Sequence, residues 1–322
     1  MNGLALSRAY YETHGLPMLR QAFPDLLGRI AVGLTGPGSE CFGFDDEYSR
    51  DHDFEPGFTV FLPGEDSVDR RTAFRLERAY DALPKSFGGL TRQRLSPVGG
   101  GRHGVVRISD FFTRAIGSPD GTLTVTQWLR LPDSALAEAV NGELFYDGPG
   151  QMTAIRRALA EQPRDARLKK LAGLLVTMKQ SGAYNFPRCL ARGENGAAQL
   201  ALGVWADAAM RAIFLLNRRY MPYYKWSFRA LRGLPLLGDM ADPIEYLLTT
   251  DNGAQSAPVK RSVLGDVNAL IVKAVREAFP EAAAGEDPGD AASGWDLERW
   301  GYALNGLIGD PAVRNLHVLY AV

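Results

Sequence analysis

The stretch of residues 36–54 constrains the fold more than any other part of this chain of 322 residues. It begins with a small-residue turn at Gly38-Ser39, continues through a loop rich in carboxylates, and ends in the pair Asp51 and Asp53. Small residues allow backbone N–H groups to approach phosphate oxygens closely. If the two aspartates lie in a strand, alternation turns both to one face, where they could hold divalent metal. This order suits a chain that folds around a nucleoside triphosphate.

The overall composition is that of a folded protein without a strong electrostatic bias. Hydrophobic residues make up 46% of the chain, charged residues 23%, and the formal net charge is −1. This balance disfavours nucleic acid and acidic membrane surfaces as partners, although a local basic patch stays possible. The two cysteines, Cys41 and Cys189, show no paired spacing. A disulfide scaffold or zinc module is therefore not expected.

The chain also lacks the sequence signals of membrane insertion or export. No apolar run approaches the roughly 20 residues that a membrane span needs. The first eight residues have neither the basic start nor the apolar core of a signal peptide. We therefore expect a cytoplasmic protein with no membrane partner.

The first half of the chain alternates helical and strand-like patterns. Residues 4–28 predict a helix broken at Pro17 and Pro24. Helices are also predicted over residues 68–83, 111–116 and 135–140. Strands are predicted over residues 30–34, 59–62, 105–108 and 143–147, the second of them continuing a strand that starts at the Asp-x-Asp pair.

After Gly148-Pro149-Gly150 the pattern becomes helical. Leu168, Leu171 and Leu175 step by three and four, and similar spacing recurs to the end of the chain. We place a domain boundary near residue 150, which gives an α+β chain with a mixed helix–strand domain at residues 1–150 and a helical domain at residues 151–322.

Three features together resemble the signature of the DNA polymerase beta-type nucleotidyltransferase superfamily: the Gly38-Ser39 turn, the interval 40–50, and Asp51-His52-Asp53. The order of later elements is similar to that of small-molecule nucleotidyltransferases of the antibiotic-modifying kind. Residues 38–54 and 215–226 look more closely like an uncharacterised bacterial family assigned to this superfamily. The resemblance implies a small mixed-sheet nucleotidyltransferase domain followed by an all-α helical bundle domain.

Residue by residue, the resemblance implies that Gly38 and Ser39 contact triphosphate and that Asp51 and Asp53 coordinate Mg²⁺. Superfamily members usually add a third carboxylate from a later strand. Here that strand carries Arg107, and Asp110 is the nearest acid; it could equally cap the next helix. The catalytic candidates implied are Asp51, Asp53 and Asp110.

Positive side chains that could hold pyrophosphate recur every seven residues, at Arg211, Arg218 and Lys225. This spacing places Arg211 and Arg218 on one helix face. We expect Lys225 to contact the beta- and gamma-phosphates, and Tyr223 or Tyr224 to lie near the base. The alternative is that these aromatic side chains simply pack the helical domain.

Other acidic and basic side chains leave two interpretations open. Asp45, Asp46 and Glu47 could form a solvated loop, or a site whose crowded charge a metal ion relieves. Arg102 and His103 follow three glycines and are expected to lie in a flexible turn, with a smaller chance of touching substrate.

The leading functional hypothesis is an enzyme that transfers a nucleoside monophosphate, AMP in the first instance, to a hydroxyl on a small molecule or protein. The substrates would be ATP or another nucleoside triphosphate and an unidentified hydroxyl acceptor. The alternative is a catalytically degenerate module that binds nucleotide or a partner, as a sensor or antitoxin-like protein does. The uncertain third carboxylate favours this alternative, whereas the neutral charge disfavours addition to nucleic-acid ends.

Overall fold

The computed structural model describes residues 2–50, 54–92, 103–283 and 296–322. The chain divides into two compact units. Unit 1 comprises Met1–Thr122 and Ser134–Glu161, and unit 2 comprises Leu123–Asp133 and Gln162–Val322. The boundary predicted near residue 150 falls inside the second segment of unit 1.

Unit 1 is built on a small mixed sheet. The described strands are β1 (Ala31–Leu34), β2 (Thr59–Leu62), β3 (Ser86–Phe87), β4 (Leu90–Thr91), β5 (Gly104–Arg107) and β6 (Glu143–Asp147). The main sheet has the order β5-β2-β1-β6. β1 is antiparallel to both β2 and β6, whereas β2 and β5 are parallel. β3 and β4 pair separately as a short hairpin.

Helices make up most of the remaining described chain. They are α1 (Gly3–Tyr10), α2 (Leu16–Ala22), α3 (Arg70–Asp81), α4 (Ile108–Ile116), α5 (Val125–Arg130), α6 (Asp133–Val140), α7 (Gln151–Ala160), α8 (Arg164–Met178), α9 (Phe186–Ala191), α10 (Asn195–Leu216), α11 (Tyr224–Arg232), α12 (Ala241–Thr249), α13 (Ser256–Ala278), α14 (Leu297–Gly306) and α15 (Pro311–Arg314). The protein is therefore α+β, as the sequence predicts.

Side chains pack against both faces of the sheet, which explains why β1 and β2 are mostly apolar and do not alternate apolar with polar residues. Val60 packs in a cluster that includes Tyr10 of α1 and Leu76 of α3. The next residue, Phe61, points to the other face, where its ring centroid lies 5.3 Å from that of Phe111 in α4. All four residues of β1 and of β2 are buried.

The first helical segment passes through the first proline that was expected to break it. α1 and α2 are joined by a π-helical segment, Tyr11–Gly15, and Pro17 lies in the first turn of α2. A π turn changes the hydrogen-bond pattern locally, which accommodates a residue without an N–H. The predicted break at Pro17 is wrong, whereas α2 does end at Ala22, before Pro24.

Unit 2 contains helices around a packed pair, α8 and α10. α8 is buried on most sides, including Lys169 and Lys170. Buried lysines require partners, and Lys169 Nζ donates to Asn305 Oδ1 at 2.8 Å. Lys260 of α13 is equally buried and donates to the carbonyl of Thr250 at 2.7 Å. These ammonium groups tie loops and helix ends to the core of unit 2.

Within the described part of the chain, α10 is the helix whose length and composition would allow it to cross a membrane, judged on its most apolar window of 18 residues. More than half of that window, 56%, is buried inside the structure. Trp205 of α10 is fully buried and donates from Nε1 to Asn268 Oδ1 at 3.0 Å. Most of α10 is therefore packed as a core helix of unit 2.

Most of the predicted elements are confirmed, with shifts of a few residues at their ends. The predicted strands correspond to β1, β2, β5 and β6, and the predicted helices to α3, α4 and α6. Besides the break at Pro17, a second prediction is wrong: the strand does not run continuously into β2, because residues 54–58 have no strand structure and β2 begins at Thr59. Pro56 lies in this segment and cannot donate a ladder hydrogen bond.

Candidate functional site

The register brings four strand ends together at one end of the main sheet, which we call the turn edge. Here β1 ends at Leu34, opposite Glu143 at the start of β6. β2 begins at Thr59 next to Gly104, the first residue of β5. Because β1 and β2 are antiparallel, the chain leaves β1 and enters β2 at the same edge. The segment between them, residues 35–58, contains the predicted Gly-Ser and Asp-x-Asp motifs.

Asn141 holds the turn that follows β1. Its Oδ1 accepts from the Gly36 N–H at 2.9 Å, and its Nδ2 donates to the Gly36 carbonyl at 2.8 Å. The Thr35 hydroxyl donates to the same Oδ1 at 3.3 Å. Arg156, which is largely buried, supports this segment by donating to the carbonyls of Val140, at 2.8 Å, and of Asn141. The side-chain amide thus fixes the backbone ahead of Gly38.

The Gly38-Ser39 turn leads directly into a short 3₁₀ turn, Glu40–Phe42, with Ser39 at its N-cap position. Gly38 has φ +135°, a conformation that a side chain disfavours. A Cβ built on Gly38 would lie 2.5 Å from Glu40 Oε1. The Glu40 carboxylate is buried and occupies the space beside Gly38. Glycine at this position therefore serves both the backbone geometry and the close approach of a carboxylate.

The acidic loop is anchored before the Asp-x-Asp pair. Asp45 Oδ2 accepts from the N–H of Gly3, the first residue of α1, at 2.9 Å. Its other oxygen, Oδ1, is buried and has no hydrogen-bond partner among the described residues. Asp46 Oδ1 accepts from the N–H of Ser49 at 3.0 Å and so stabilises the 3₁₀ turn Tyr48–Arg50. The loop is thus more ordered than a freely solvated one.

The chain is anchored again after the pair. Ser7 Oγ donates to the Gly57 carbonyl at 2.6 Å. Tyr80 Oη donates to the Phe58 carbonyl at 2.8 Å and accepts from its N–H at 3.1 Å. Arg92 Nε donates to the Pro56 carbonyl at 3.2 Å. Burial raises the pKa of Tyr80, so its hydroxyl stays protonated and able to donate.

Asp51 and Asp53 themselves lie outside the described residues, so the predicted metal pair has no structural description. The segments on either side of them are both fixed to unit 1 by the contacts above. Among the described residues, no group of three or more His, Cys, Asp or Glu side chains is placed to hold a metal ion.

Asp110 is exposed in the first turn of α4. Parallel pairing places the end of β5 beside Leu62, away from the turn edge. The neighbouring residue, Phe111, is the one that reaches the turn: a Cβ built on Gly36 would lie 3.7 Å from its ring. Arg107, which occupies the strand position where an acid was sought, donates to the Pro63 carbonyl at 2.7 Å.

Two other side chains lie at the turn edge. His103 packs against Gly57, where a built Cβ would lie 2.5 Å from the imidazole Cγ. Glu143 forms an ion pair with Arg8 of α1, and this hydrogen bond raises the pKa of the guanidinium. Glu143 is half-exposed, so it remains open to a ligand. Neither Glu40 nor Glu143 belongs to a motif that predicts a site role.

In unit 2, the predicted aromatic and basic side chains lie at the start of α11. Tyr224 is 73% exposed, and its ring centroid lies 4.3 Å from that of Tyr223, which is also exposed. Lys225 is exposed in the first turn of α11, with its ammonium 5.5 Å from the centre of the Trp226 ring. These three predicted residues therefore form a solvent-facing group and are not packed in the helical core.

Arg218 lies two residues beyond the end of α10, with φ +54°. The expectation that it shares a helix face with Arg211 is wrong, because the helix ends at Leu216. Burial lowers the pKa of Arg167, and the positive charges of Arg218 and Arg164 lower it further. Arg167 Nε is buried and has no hydrogen-bond partner within the described ranges. Arg218 thus belongs to a group of arginines that would favour an anion.

Arg211 has a structural role in the described contacts. Its Nε donates to Asp133 Oδ2 at 3.1 Å, and Lys170 Nζ donates to Asp133 Oδ1 at 2.8 Å. All three side chains are mostly or fully buried. Burial alone would raise the pKa of Asp133, but Lys170 and Arg211 outweigh it and lower the pKa. Arg211 is therefore committed to a buried ion network.

A model of a domain of unknown function, DUF4037, matches residues 128–227 of the chain. The matched region covers Arg218, Tyr223, Tyr224 and Lys225, and it begins after the Gly-Ser and Asp-x-Asp motifs. No curated protein and no solved structure matches the chain.

Three side chains near the predicted sites carry sequence signals of their own. Glu40 directly follows the Gly-Ser pair, and a carboxylate at that position would repel a bound triphosphate. Arg164 and Arg167 are three residues apart and so share a helix face. By contrast, no sequence motif around Asn141 predicts that its side chain bonds both the N–H and the carbonyl of Gly36.

Proposed function

We propose that this protein is a metal-dependent nucleotidyltransferase that moves a nucleoside monophosphate, AMP in the first instance, from a nucleoside triphosphate to a hydroxyl acceptor. In this proposal unit 1 is the nucleotidyltransferase domain and unit 2 its helical partner domain. The observation that carries the proposal is the geometry of the turn edge. β1 leads into the Gly38-Ser39 turn, which Asn141 holds through Gly36. The carboxylate-rich segment that follows is hydrogen-bonded to unit 1 on both sides of the Asp-x-Asp pair before β2 begins.

The braced turn supports the phosphate-binding role of Gly38 and Ser39. Gly38 adopts a conformation that favours glycine, and Ser39 occupies the N-cap position of a 3₁₀ turn without a side-chain capping hydrogen bond. The proposal assigns backbone N–H groups of this turn to the phosphates. Phosphate oxygens suit such donors. Asn141 fixes Gly36, two residues before Gly38, with two hydrogen bonds. A turn that is already fixed loses less conformational entropy when a ligand binds.

The donor chemistry fits a magnesium ion. Mg²⁺ prefers oxygen ligands and usually combines one or two carboxylates with substrate phosphates. Asp51 and Asp53 would hold it, and the buried unpartnered Oδ1 of Asp45 is a further oxygen in the same loop. When bound, the ion would neutralise charge on the triphosphate.

The protein's own residues would position the reactants and accept one proton. The acceptor oxygen forms a bond to the alpha-phosphorus while the bond from that phosphorus to the pyrophosphate oxygen breaks, and pyrophosphate leaves in line. The hydroxyl proton passes to a carboxylate, for which Asp110 and the turn-edge residue Glu143 are the candidates. In unit 2, Arg218 and Lys225 remain the predicted phosphate contacts, and Tyr223 or Tyr224 the predicted base contact.

A specific observation favours a second candidate function, a degenerate nucleotide-binding or partner-binding module. Asp110 is separated from the turn edge by the length of β5, and the strand position that an acid would fill carries Arg107. A protein that binds nucleotide without transferring it would tolerate both features.

The decisive experiment incubates the purified protein with alpha-³²P-labelled ATP, Mg²⁺ and a cell extract, and measures label on proteins and on metabolites separately. The nucleotidyltransferase proposal predicts acceptor labelling that disappears in the Asp51→Asn/Asp53→Asn variant. Saturable ATP binding with no transfer to any fraction would favour the degenerate module.

Two further variants then identify the base. Asp110→Asn and Glu143→Gln each remove one candidate carboxylate while preserving its size. The variant that loses label transfer but retains ATP binding identifies the proton acceptor. Asp266→Asn, an exposed position on α13, is the matched control and should transfer normally.

A further inference from the structure

α10 ends in a Schellman motif that has an arginine where glycine is usual. The Arg219 N–H donates to the Phe214 carbonyl at 2.9 Å. The Arg218 N–H donates to the Leu215 carbonyl at 3.0 Å, and Arg218 directly follows the C-cap residue Asn217 with φ +54°. Glycine adopts this left-handed conformation more easily, because a Cβ adds a steric cost. An exposed arginine therefore stands at a position that folding alone would give to glycine.

Contacts between α8 and α10 place the start of α8 beside this end of α10. Asp133 bridges Lys170 of α8 and Arg211 of α10, with distances of 2.8 and 3.1 Å from its oxygens to the donor nitrogens. Further on, Thr177 near the end of α8 lines the same surface as Gly196 near the start of α10. The two helices therefore run antiparallel, and residues before Lys170 lie level with residues after Arg211.

Arg167 lies one turn before Lys170, on the same face of α8. Its Nε is buried, and its guanidinium group has no hydrogen bond or ion pair with any described residue. The Phe279 ring centre lies 5.6 Å from the guanidinium carbon, and the N–H donors point outward in the plane of the guanidinium. Burial lowers the pKa of Arg167, and the charges of Arg218 and Arg164 lower it further. Arg167 and Arg218 are thus close enough to repel each other.

Of the polar side chains around the start of α8, Arg164 has partners and Gln162 does not. Arg164 forms an ion pair with Glu281 and donates to the Leu307 carbonyl at 3.2 Å. Gln162 Nε2 is buried and has no hydrogen-bond partner in the described part of the chain. Gln162 precedes the N-cap residue and Arg167 is the fourth helical residue, positions whose side chains often meet across a helix start. An amide donor is therefore available beside the guanidinium of Arg167.

The charge and the donors of this group select the class of ligand. Arg167 and Arg218 carry two positive charges, and the charged groups that shift the pKa of Arg167 are all positive. A phosphate monoester carries a charge of about −1.5 to −2 at pH 7 and three strong acceptor oxygens, whereas a carboxylate carries one charge and two oxygens. Planar guanidinium groups also match phosphate geometry. Two guanidinium groups and one amide donor therefore suit a phosphoryl dianion better than a carboxylate.

We propose that Arg167, Arg218 and Gln162 form a binding site for a phosphoryl dianion in unit 2. The two guanidinium groups neutralise its charge, and Gln162 Nε2 donates to a further oxygen. The site includes neither Asp51 nor Asp53, so it can fail or stand separately from nucleotidyl transfer.

Calorimetric titration with inorganic phosphate in metal-free buffer tests the proposal, with acetate as the monoanionic match. Phosphate should bind saturably and about tenfold or more tightly than acetate, because hydrogen bonds to charged groups are worth on the order of that ratio. Arg167→Gln should weaken phosphate binding by about tenfold or more. Arg192→Gln is the matched control, because Arg192 is exposed and precedes the start of α10, at the opposite end from Arg218. It should bind phosphate like the wild type.

Arg218→Gly separates a role in binding from a role in folding. Glycine suits the positive φ at this position, so the variant should be about as stable as the wild type in thermal unfolding. Its phosphate affinity should nevertheless fall by about tenfold or more. The Asp51→Asn/Asp53→Asn variant should bind phosphate like the wild type, even if it has lost nucleotidyl transfer.

The same titration in the presence of ATP and Mg²⁺ identifies the source of the phosphoryl group. Competition by ATP assigns the group to a nucleoside triphosphate, and unchanged phosphate binding assigns it to a different phosphorylated molecule. Four results would overturn the proposal: no saturable phosphate binding, equal binding of acetate, unchanged affinity in Arg167→Gln or Arg218→Gly, or loss of phosphate binding in the double aspartate variant.

Discussion

Two aspartates, one in each unit, are held in opposite ways. In unit 2, Asp133 has a cation on each oxygen, Lys170 at 2.8 Å and Arg211 at 3.1 Å. In unit 1, Asp45 accepts a backbone N–H on one oxygen, whereas the other is buried and meets no hydrogen-bond donor in the part of the chain that the structure describes. The same functional group thus completes a closed ion network in one unit and leaves an unused acceptor in the other.

The difference separates carboxylates that hold the fold from carboxylates that are open to a ligand. A buried charge with all its partners gives stability only while those partners remain. An unsatisfied buried oxygen costs stability unless a ligand satisfies it. Substitutions in unit 2's network should therefore change unfolding, and substitutions at the turn edge should change ligand binding.

The largest effect is expected for Asp133→Asn. The change leaves Lys170 buried without a charged partner, and breaking such a pair typically costs about 3–5 kcal/mol. Urea unfolding should show this loss in the free energy of unfolding. Asp266→Asn, at an exposed position, should change stability by less than about 0.5 kcal/mol. A loss below about 1 kcal/mol for Asp133→Asn would show that the network contributes little.

Gly38→Ala should have the next largest effect, and it acts at the turn edge. The positive φ and the contact with Glu40 Oε1 should together cost about 2 kcal/mol. Gly43→Ala is the control, because Gly43 also has positive φ but a built Cβ meets nothing within 4 Å. It should cost about 1 kcal/mol, from backbone strain alone. Equal costs in thermal or urea unfolding would remove Glu40 from the explanation of Gly38.

Acid should weaken unit 2 through Asp133. Its pKa is lowered in the folded protein, so its stabilising contribution is present above the unfolded value of about 3.9 and is lost as pH falls through the lower, folded pKa. One such group changes stability by at most about 1.4 kcal/mol per pH unit. Unfolding free energies measured between pH 5 and pH 2 should fall less steeply for Asp133→Asn than for wild type. Equal slopes would contradict this assignment.

Lys225→Ala should have the smallest effect on folding. The side chain is exposed, so stability should change by less than about 0.5 kcal/mol. If Lys225 holds phosphate, ATP affinity measured by calorimetry should fall about tenfold, equivalent to one charge-assisted contact. Lys273→Ala, at an exposed position on α13, should leave affinity unchanged. If Lys225→Ala binds ATP with unchanged affinity, the Lys225 ammonium has no role in binding ATP.

Local patterns predicted much of the fold because they report burial directly. The apolar run before Gly36 became β1, and the three-and-four spacing from Leu168 became α8. The insertion of residues 123–133 into unit 2 was not predicted, because it depends on Asp133 meeting Lys170 and Arg211, which are distant in sequence. The end of α10 before Arg218 was also missed, since the hydrophobic period continues past it.

The candidate site was less accessible to sequence reasoning than the fold. Motif spacing identified the Gly-Ser turn, and the structure gives Gly38 the positive φ that such a turn requires. Spacing does not reveal which acids share the edge of a mixed sheet. Glu143 lies opposite Leu34 through antiparallel pairing, although the two are separated by most of unit 1 in sequence. Asp110 directly follows β5 in sequence, but it follows the end of β5 that lies away from the turn edge.

Thermal unfolding with Mg²⁺, with ATP, and with both together tests the central claim most directly. The proposal predicts a rise in melting temperature that requires both, because Asp51 and Asp53 would hold the ion and the Gly38-Ser39 turn the triphosphate. The Asp51→Asn/Asp53→Asn variant should fold normally and lose the joint effect. A shift with ATP that needs no metal, or one that survives the double substitution, would contradict the claim.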